Sequence, residues 1–145
     1  MLAALLVTAM LQDRDLPLKI EEGGFCTGMA WMTVEPSAQY SFDRGPDFRV
    51  FRYSDGNGDW WGVYSGHAAQ VSNGKRKRLF KRHGVRVDAM TVDGEFRGYL
   101  ASDRSGSQNH FFSSRFKNDR EDIAFFDKVD FGPHGQEKCE RHRPR

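Results

Sequence analysis

Two runs of aromatic and β-branched residues around a short polar block constrain the fold of this chain more than any other feature. They lie within residues 47–66, which read DFRVFRYSDGNGDWWGVYSG. Aromatic and β-branched side chains suit a pleated, half-buried surface, and Gly, Asn and Asp supply the positive-φ positions that a hairpin loop needs. The segment therefore predicts a β-hairpin whose strands are rich in aromatic side chains.

The distribution of leucine and phenylalanine extends this prediction to the whole body of the protein. Six of the eight leucines fall within the first eighteen residues, whereas the chain as a whole contains 12 Phe, 4 Tyr, 3 Trp and 15 Gly. Leucine favours helices, and aromatic residues favour strands. We expect a mainly β (α+β) fold, an antiparallel meander of about eight short strands forming a partial barrel or sandwich, with one possible helix near the C-terminus.

Turn-forming residues divide the remainder of the chain into short segments. The other predicted strands lie at residues 25–34, 39–43, 67–72, 85–92, 95–101 and 109–116. In the first of them, alternation places Phe25 and Trp31 on the same face. Asp93-Gly94 is a two-residue hairpin signal. Residues 119–130 fit a helix, and they fit a strand nearly as well because consecutive phenylalanines do not select a period.

Three segments of different composition define the expected domain organisation. Residues 1–18 have the apolar character of a secretory signal, and the lack of a Lys or Arg before the apolar run predicts that this signal is truncated. Their stretch of about ten apolar residues is too short to span a bilayer. Residues 19–131 form a single β-rich domain, and residues 132–145 form a loose basic tail tied down by Cys139. We expect a periplasmic or secreted protein without a transmembrane span; a buried N-terminal element in a cytoplasmic protein is the alternative.

The two cysteines, Cys26 and Cys139, lie near opposite ends of the predicted body. In an oxidising compartment such a pair forms a natural cross-link, so we predict a disulfide bond; two unrelated thiols are the alternative. His134 and His142 flank Cys139 and could form a zinc site with Cys26, but the spacing matches no standard zinc motif. We expect no cofactor.

A basic run stands out from a chain whose formal net charge is only +2. Residues 75–86 contain seven cations and no acid: Lys75, Arg76, Lys77, Arg78, Lys81, Arg82 and Arg86. Such a run can bind a polyanion, or it can protect a sheet edge against pairing with other chains. We favour the edge strand, because on an extended strand these side chains divide between two faces. Nucleic acid is not an expected partner.

The polar block of the central hairpin resembles the start of a calcium loop. Asp55, Asn57 and Asp59 place oxygen-bearing side chains at alternate positions. An EF-hand then requires Gly at the sixth position and Glu at the twelfth, where this chain has Trp60 and Gly66. A plain hairpin loop is the favoured interpretation, and we expect no metal.

Candidate catalytic residues are few. His67 follows the central hairpin and His110 begins an aromatic strand, but a general base also needs a partner within hydrogen-bonding reach. The chain has no G-x-S-x-G, H-E-x-x-H, P-loop or dinucleotide-binding motif. A small envelope hydrolase that uses one of these histidines with a nearby Asp is therefore an alternative to the leading hypothesis.

The Trp60-Trp61 doublet carries the leading hypothesis. Neighbouring side chains of a strand point to opposite faces, so one indole must leave the main core. Trp60 and Trp61 are therefore the candidate ligand or partner contacts. Of the two, we expect Trp61 to point inward, since it shares a face with Val63, and Trp60 to point outward. The sequence thus favours a small exported, non-catalytic binding or interaction domain of the cell envelope, with a protein or another envelope component as its partner. A polyanion-binding module built on the basic run is the third hypothesis.

Overall fold

The computed structural model describes residues 23–36, 38–54, 58–66 and 74–142. Within these ranges the chain forms two antiparallel sheets, a 3₁₀ helix and an α-helix. The elements are β1 (Gly24–Cys26), β2 (Ala30–Thr33), β3 (Gln39–Arg44), β4 (Phe48–Ser54), β5 (Trp60–Gly66), β6 (Lys75–Arg82), β7 (Val85–Val92), β8 (Glu95–Ser102), β9 (Gln108–Ser113), the 3₁₀ helix (Arg120–Lys128), β10 (Val129–Phe131) and α1 (Gly132–Arg141). The predicted leader and the predicted strand at residues 67–72 lie outside the described residues.

The larger sheet has seven strands in the order β3-β4-β5-β9-β8-β7-β6. It is open rather than closed, and β3 and β6 form its two edges. The central hairpin of the sequence is the β4–β5 pair, in which Phe51 lies opposite Val63. The predicted mainly β, antiparallel architecture is therefore confirmed.

Two-residue turns join β6 to β7 and β7 to β8. Asp93 and Gly94 have φ values of 52° and 80°, and His83 and Gly84 have 50° and 78°. Positive φ at both central residues is the type I′ geometry, whose twist matches that of the adjoining strands. The Asp93-Gly94 hairpin was predicted. The other turn was not, because histidine is a weak turn signal.

The smaller sheet has the order β1-β2-β10. The predicted single strand over residues 25–34 is wrong, because a turn at Thr27 and Gly28 folds it into two antiparallel strands. The register places Phe25 opposite Met32 and Cys26 opposite Trp31. Phe25 and Trp31 thus lie on opposite faces, contrary to the predicted alternation.

The main core lies between one face of the large sheet, here called the inner face, and the small sheet with the 3₁₀ helix. The ring of Phe25 stacks on that of Phe51 at 4.6 Å, which joins the two sheets. Phe126, from the 3₁₀ helix, packs edge-on against Phe111 of β9 at 5.3 Å. All four rings are buried. Aromatic side chains therefore fill the volume that leucines occupy in most cores.

Two buried sets of hydrogen bonds join the large sheet to the elements that cover its inner face. The hydroxyl of Thr27, in the β1–β2 turn, donates to the side-chain carbonyl of Asn109 in β9, and the Asn109 amide donates to the Thr27 carbonyl at 3.1 Å. The hydroxyl of Tyr99 in β8 donates to the carboxylate of Asp122 in the 3₁₀ helix. Asp122 also accepts from the backbone N–H of Lys117 at 3.0 Å. Burial and the Asp122 carboxylate together raise the pKa of Tyr99 far above its ordinary value.

The C-terminal region is more ordered than predicted. Asp119 caps the N-terminus of the 3₁₀ helix, and its side chain accepts from the N–H of Glu121 at 2.8 Å. The predicted loose tail is wrong for Gly132–Arg141, which form α1. Gly135 allows this helix to approach β10 closely, since a Cβ there would lie 1.8 Å from the carbonyl oxygen of Asp130.

Candidate binding surfaces

Trp60 and Trp61 point to opposite faces of the large sheet. Trp61 packs against the main core, and its ring stacks on Tyr53 with centroids 5.2 Å apart. Trp60 is 42% exposed and is the one exposed large hydrophobic side chain among the described residues. The predicted orientation, with Trp61 inward and Trp60 outward, is confirmed.

Trp60 belongs to a row of rings on the outer face of the large sheet, which we call the aromatic strip: Trp60, Phe112, His110, Tyr64 and Phe48. Phe112 lies edge-on to Trp60 at 5.7 Å and 5.9 Å from His110, and Tyr64 stacks on Phe48 at 5.6 Å. The register brings Tyr64 opposite His110 across β5 and β9. The five rings thus come from three neighbouring strands.

Gly62 allows one of these rings to lie close to the backbone of β5. It pairs with Phe112 across β5 and β9, and a Cβ at Gly62 would come within 2.2 Å of the Phe112 ring. The ring occupies the space that a side chain on β5 would fill. Ser113 adds a hydrogen bond from its hydroxyl to the carbonyl of Trp60 at 2.8 Å. A side chain of β9 therefore fixes the backbone of Trp60.

His110 lies within the aromatic strip and is mostly buried. Its Nε2 is hydrogen-bonded to the carbonyl of Arg97, and a Cβ at neighbouring Gly98 would lie 3.1 Å from that nitrogen. Burial lowers the pKa of His110 below its ordinary value. The described hydrogen bond joins the ring to a backbone carbonyl and not to the carboxylate that the hydrolase hypothesis requires. His67 lies outside the described residues.

The lowered pKa of His110 predicts a pH dependence of folding. The folded state disfavours the charged ring, whereas the unfolded state binds a proton with a pKa of about 6.5. The folded protein is therefore most favoured above this pH, and the free energy of unfolding decreases as the pH falls below it. We expect His110→Gln to make the free energy of unfolding depend less on pH between pH 7.5 and pH 5. Urea unfolding across this range measures it, with exposed His134→Gln as the control. An equal pH slope in wild type and His110→Gln would contradict the assignment.

The basic run forms β6 and the start of β7. Since β6 is an edge of the large sheet, the edge-strand prediction is confirmed. Its cations divide between the two faces, as predicted. Arg82 joins β6 to the 3₁₀ helix, because its guanidinium donates to the carbonyl of Phe126 at 3.3 Å and lies 3.5 Å from the carboxylate of Asp127.

The candidate metal ligands are not brought together in the described residues. Asp59 forms an ion pair with Arg115 at 2.8 Å, and Asp55 and Asn57 lie outside the described residues. No group of three or more His, Cys, Asp or Glu side chains in the described ranges could hold a metal ion.

Cys26 and Cys139 form the predicted disulfide bond, with Cα atoms 5.2 Å apart. It joins β1 to α1. The bond consumes both thiolates that the alternative zinc site would use, and the ring of His142 instead packs on that of Trp31 at 4.7 Å. Among the described residues, no helix has the length and apolar character needed to cross a membrane.

A polar cavity of about 560 Å³ lies at one end of the large sheet. Its polar lining side chains are Asp47, Ser65, Ser105, Ser107, Gln108 and Asn109. The side chain of Asn109 is already bonded to Thr27, and Asp103 anchors the β8–β9 loop by accepting from the N–H groups of Ser105 and Ser107 at 2.9 and 3.0 Å. The cavity is separate from the aromatic strip, since it includes none of the five rings.

Comparison with known proteins does not extend this description: no protein-family model, curated protein or solved structure matches the chain.

Proposed function

We propose that this chain is a small exported binding domain of the cell envelope, which engages a protein partner through the aromatic strip and has no catalysis of its own. The observation that carries the proposal is the exposed indole of Trp60, which lies on a sheet face, not in a mobile loop. Tryptophan is one of the three residue types most enriched at the hot spots of protein interfaces.

The surroundings of Trp60 resemble the anatomy of such an interface. The carboxylate of Asp59, directly before β5, lies 2.8 Å from the guanidinium of Arg115, shortly after β9. The carboxylate of Asp43 in β3 lies 3.1 Å from the guanidinium of Arg52 in β4. Both arginine side chains are more than half exposed. An apolar centre with a rim of polar and charged groups, rich in arginine, is typical of protein interfaces. The partner would offer an apolar pocket for one indole and a rim of mixed charge.

The disulfide bond supports the exported setting, because such bonds persist in oxidising compartments and are rare in the cytosol of mesophiles. The hydrolase alternative has weaker support, since His110 is hydrogen-bonded to the Arg97 carbonyl. Its low pKa follows from burial in the strip.

Site-specific photocrosslinking tests this proposal. A photoreactive phenylalanine analogue at position 60 is expected to form a discrete adduct with one envelope protein, and the same analogue at exposed Arg104 is not. The crosslinked protein is then identified, purified and titrated with wild type and with Trp60→Ala. We expect the substitution to weaken binding by about 30-fold or more, as for a hot-spot residue.

Two results would contradict the proposal. One is equal crosslinking at positions 60 and 104. The other is an unchanged dissociation constant for a correctly folded Trp60→Ala variant.

A further inference from the structure

The pairing of β6 with β7 concentrates part of the basic run on the outer face. Arg76 lies opposite Met90 and Arg78 opposite Asp88, both of which are on the outer side of β7. Beyond Arg78 the register shifts at a β-bulge, after which Lys81 lies opposite Arg86.

The bulge changes the face to which Lys81 points. In a regular strand, Lys81 would share the face of Lys75 and Lys77. The bulge adds one residue, Leu79, so that Lys81 instead joins Arg76 and Arg78. Leu79 and the neighbouring Phe80 pack against the main core, which explains the local geometry.

Four cations therefore share the outer side of β6 and β7, and we call this set the outer basic face: Arg76, Arg78, Lys81 and Arg86. All four are exposed. The acid among them is Asp88, whose side chain is 2% exposed and whose Oδ1 lies 2.6 Å from Arg86 Nε. Within the part of the chain that the structure describes, an acidic side chain thus compensates one of the four charges and leaves three uncompensated.

Protection of the sheet edge does not account for this arrangement. Charges on either face of an edge strand would prevent pairing with another chain. The outer basic face instead holds Arg76 and Arg78 about 7 Å apart, two residues along a strand. Their guanidinium groups can each form two parallel hydrogen bonds to a phosphate.

We propose that the outer basic face binds a linear polyphosphate, a polymer that carries a phosphate group on each repeat and no nucleobase. The extended row of cations suits an extended row of anions, and phosphate recognition is one of the uses for which arginine is preferred to lysine. This site is separate from the aromatic strip, and its function does not depend on the proposed protein partner.

The structure offers a matched pair of variants for the test. Arg76→Gln/Arg78→Gln removes two charges from the outer face, and Lys75→Gln/Lys77→Gln removes two charges from the same strand on the other face. Inorganic polyphosphate is the probe, and its affinity is measured at several salt concentrations. Polyglutamate and vesicles containing phosphatidylglycerol serve as a carboxylate polymer and an anionic lipid surface.

We expect wild type to bind polyphosphate with a slope of log affinity against log salt of about −2, which corresponds to three neutralised phosphates. Arg76→Gln/Arg78→Gln should reduce the slope to about −0.7 and weaken binding by about 20-fold at low salt. Lys75→Gln/Lys77→Gln should change the affinity by less than threefold.

Three results would overturn the proposal. Equal losses in the two double variants would mean that total charge, and not the outer basic face, determines binding. Tighter binding of polyglutamate than of polyphosphate would exclude phosphate preference. Binding to the vesicles without binding to polyphosphate would identify a lipid surface as the ligand.

Discussion

Replacing Cys26 and Cys139 together with serine is expected to lower the free energy of unfolding by about 4–5 kcal/mol. The two cysteines are 113 residues apart in the sequence. A cross-link over so long a loop removes much conformational freedom from the unfolded chain. In the folded protein the same bond holds α1 against β1. An ion pair between Lys138 and Asp130, at 2.6 Å, also joins α1 to β10.

Urea unfolding of wild type and of the double serine variant measures this loss. Lys138→Met is the control, because it removes the ion pair between α1 and β10. We expect it to lower the free energy of unfolding by about 1 kcal/mol or less, since the ion pair is partly exposed. Alkylation and mass spectrometry of protein isolated from its native compartment show whether the bond forms there. A loss below about 1 kcal/mol in the double variant, against the 4–5 predicted, would contradict the stabilising role.

The parts of the fold that the sequence predicts well are those with local signals. Asp93-Gly94 specifies its hairpin because both residues tolerate positive φ. The runs around the polar block specify β4 and β5 by composition. The seven cations of residues 75–86 identify an edge strand, because an interior strand could not solvate them.

The parts that it misses depend on contacts between distant segments. The turn at Thr27 is held by Asn109, 82 residues away in the sequence. The bulge at Leu79 arises from packing against the core, which no alternation pattern reveals. Residues 132–141 appear too polar for an ordered element. The helix there is stabilised by the disulfide bond and by close packing on β10, which Gly135 permits.

The candidate site shows the same division. Alternation alone separates Trp60 from Trp61, and Val63 identifies the inward face correctly. The association of Trp60 with Phe112 requires the pairing of β5 with β9, which are not consecutive in the chain. The doublet Phe111-Phe112 was a usable signal, because one of its rings also had to leave the core.

Trp61→Ala is expected to lower the free energy of unfolding by about 2–4 kcal/mol. Its half-buried ring contacts Tyr53, and Lys128 Nζ lies 5.8 Å from the ring centroid, so truncation opens space at the edge of the core. Trp60→Ala should cost less than about 1 kcal/mol, because much of its ring is already in water and its described ring contact is with Phe112.

Urea denaturation of these two variants, under identical conditions, tests most directly the claim that the inner face of the sheet forms the core and the outer face at Trp60 is free for a partner. The predicted result is a clearly lower unfolding midpoint for Trp61→Ala and a midpoint near wild type for Trp60→Ala, with unchanged denaturant dependence in both. Equal, large losses from the two substitutions would contradict the claim. They would mean that β5 is buried on both faces, with no exposed indole for a partner to bind.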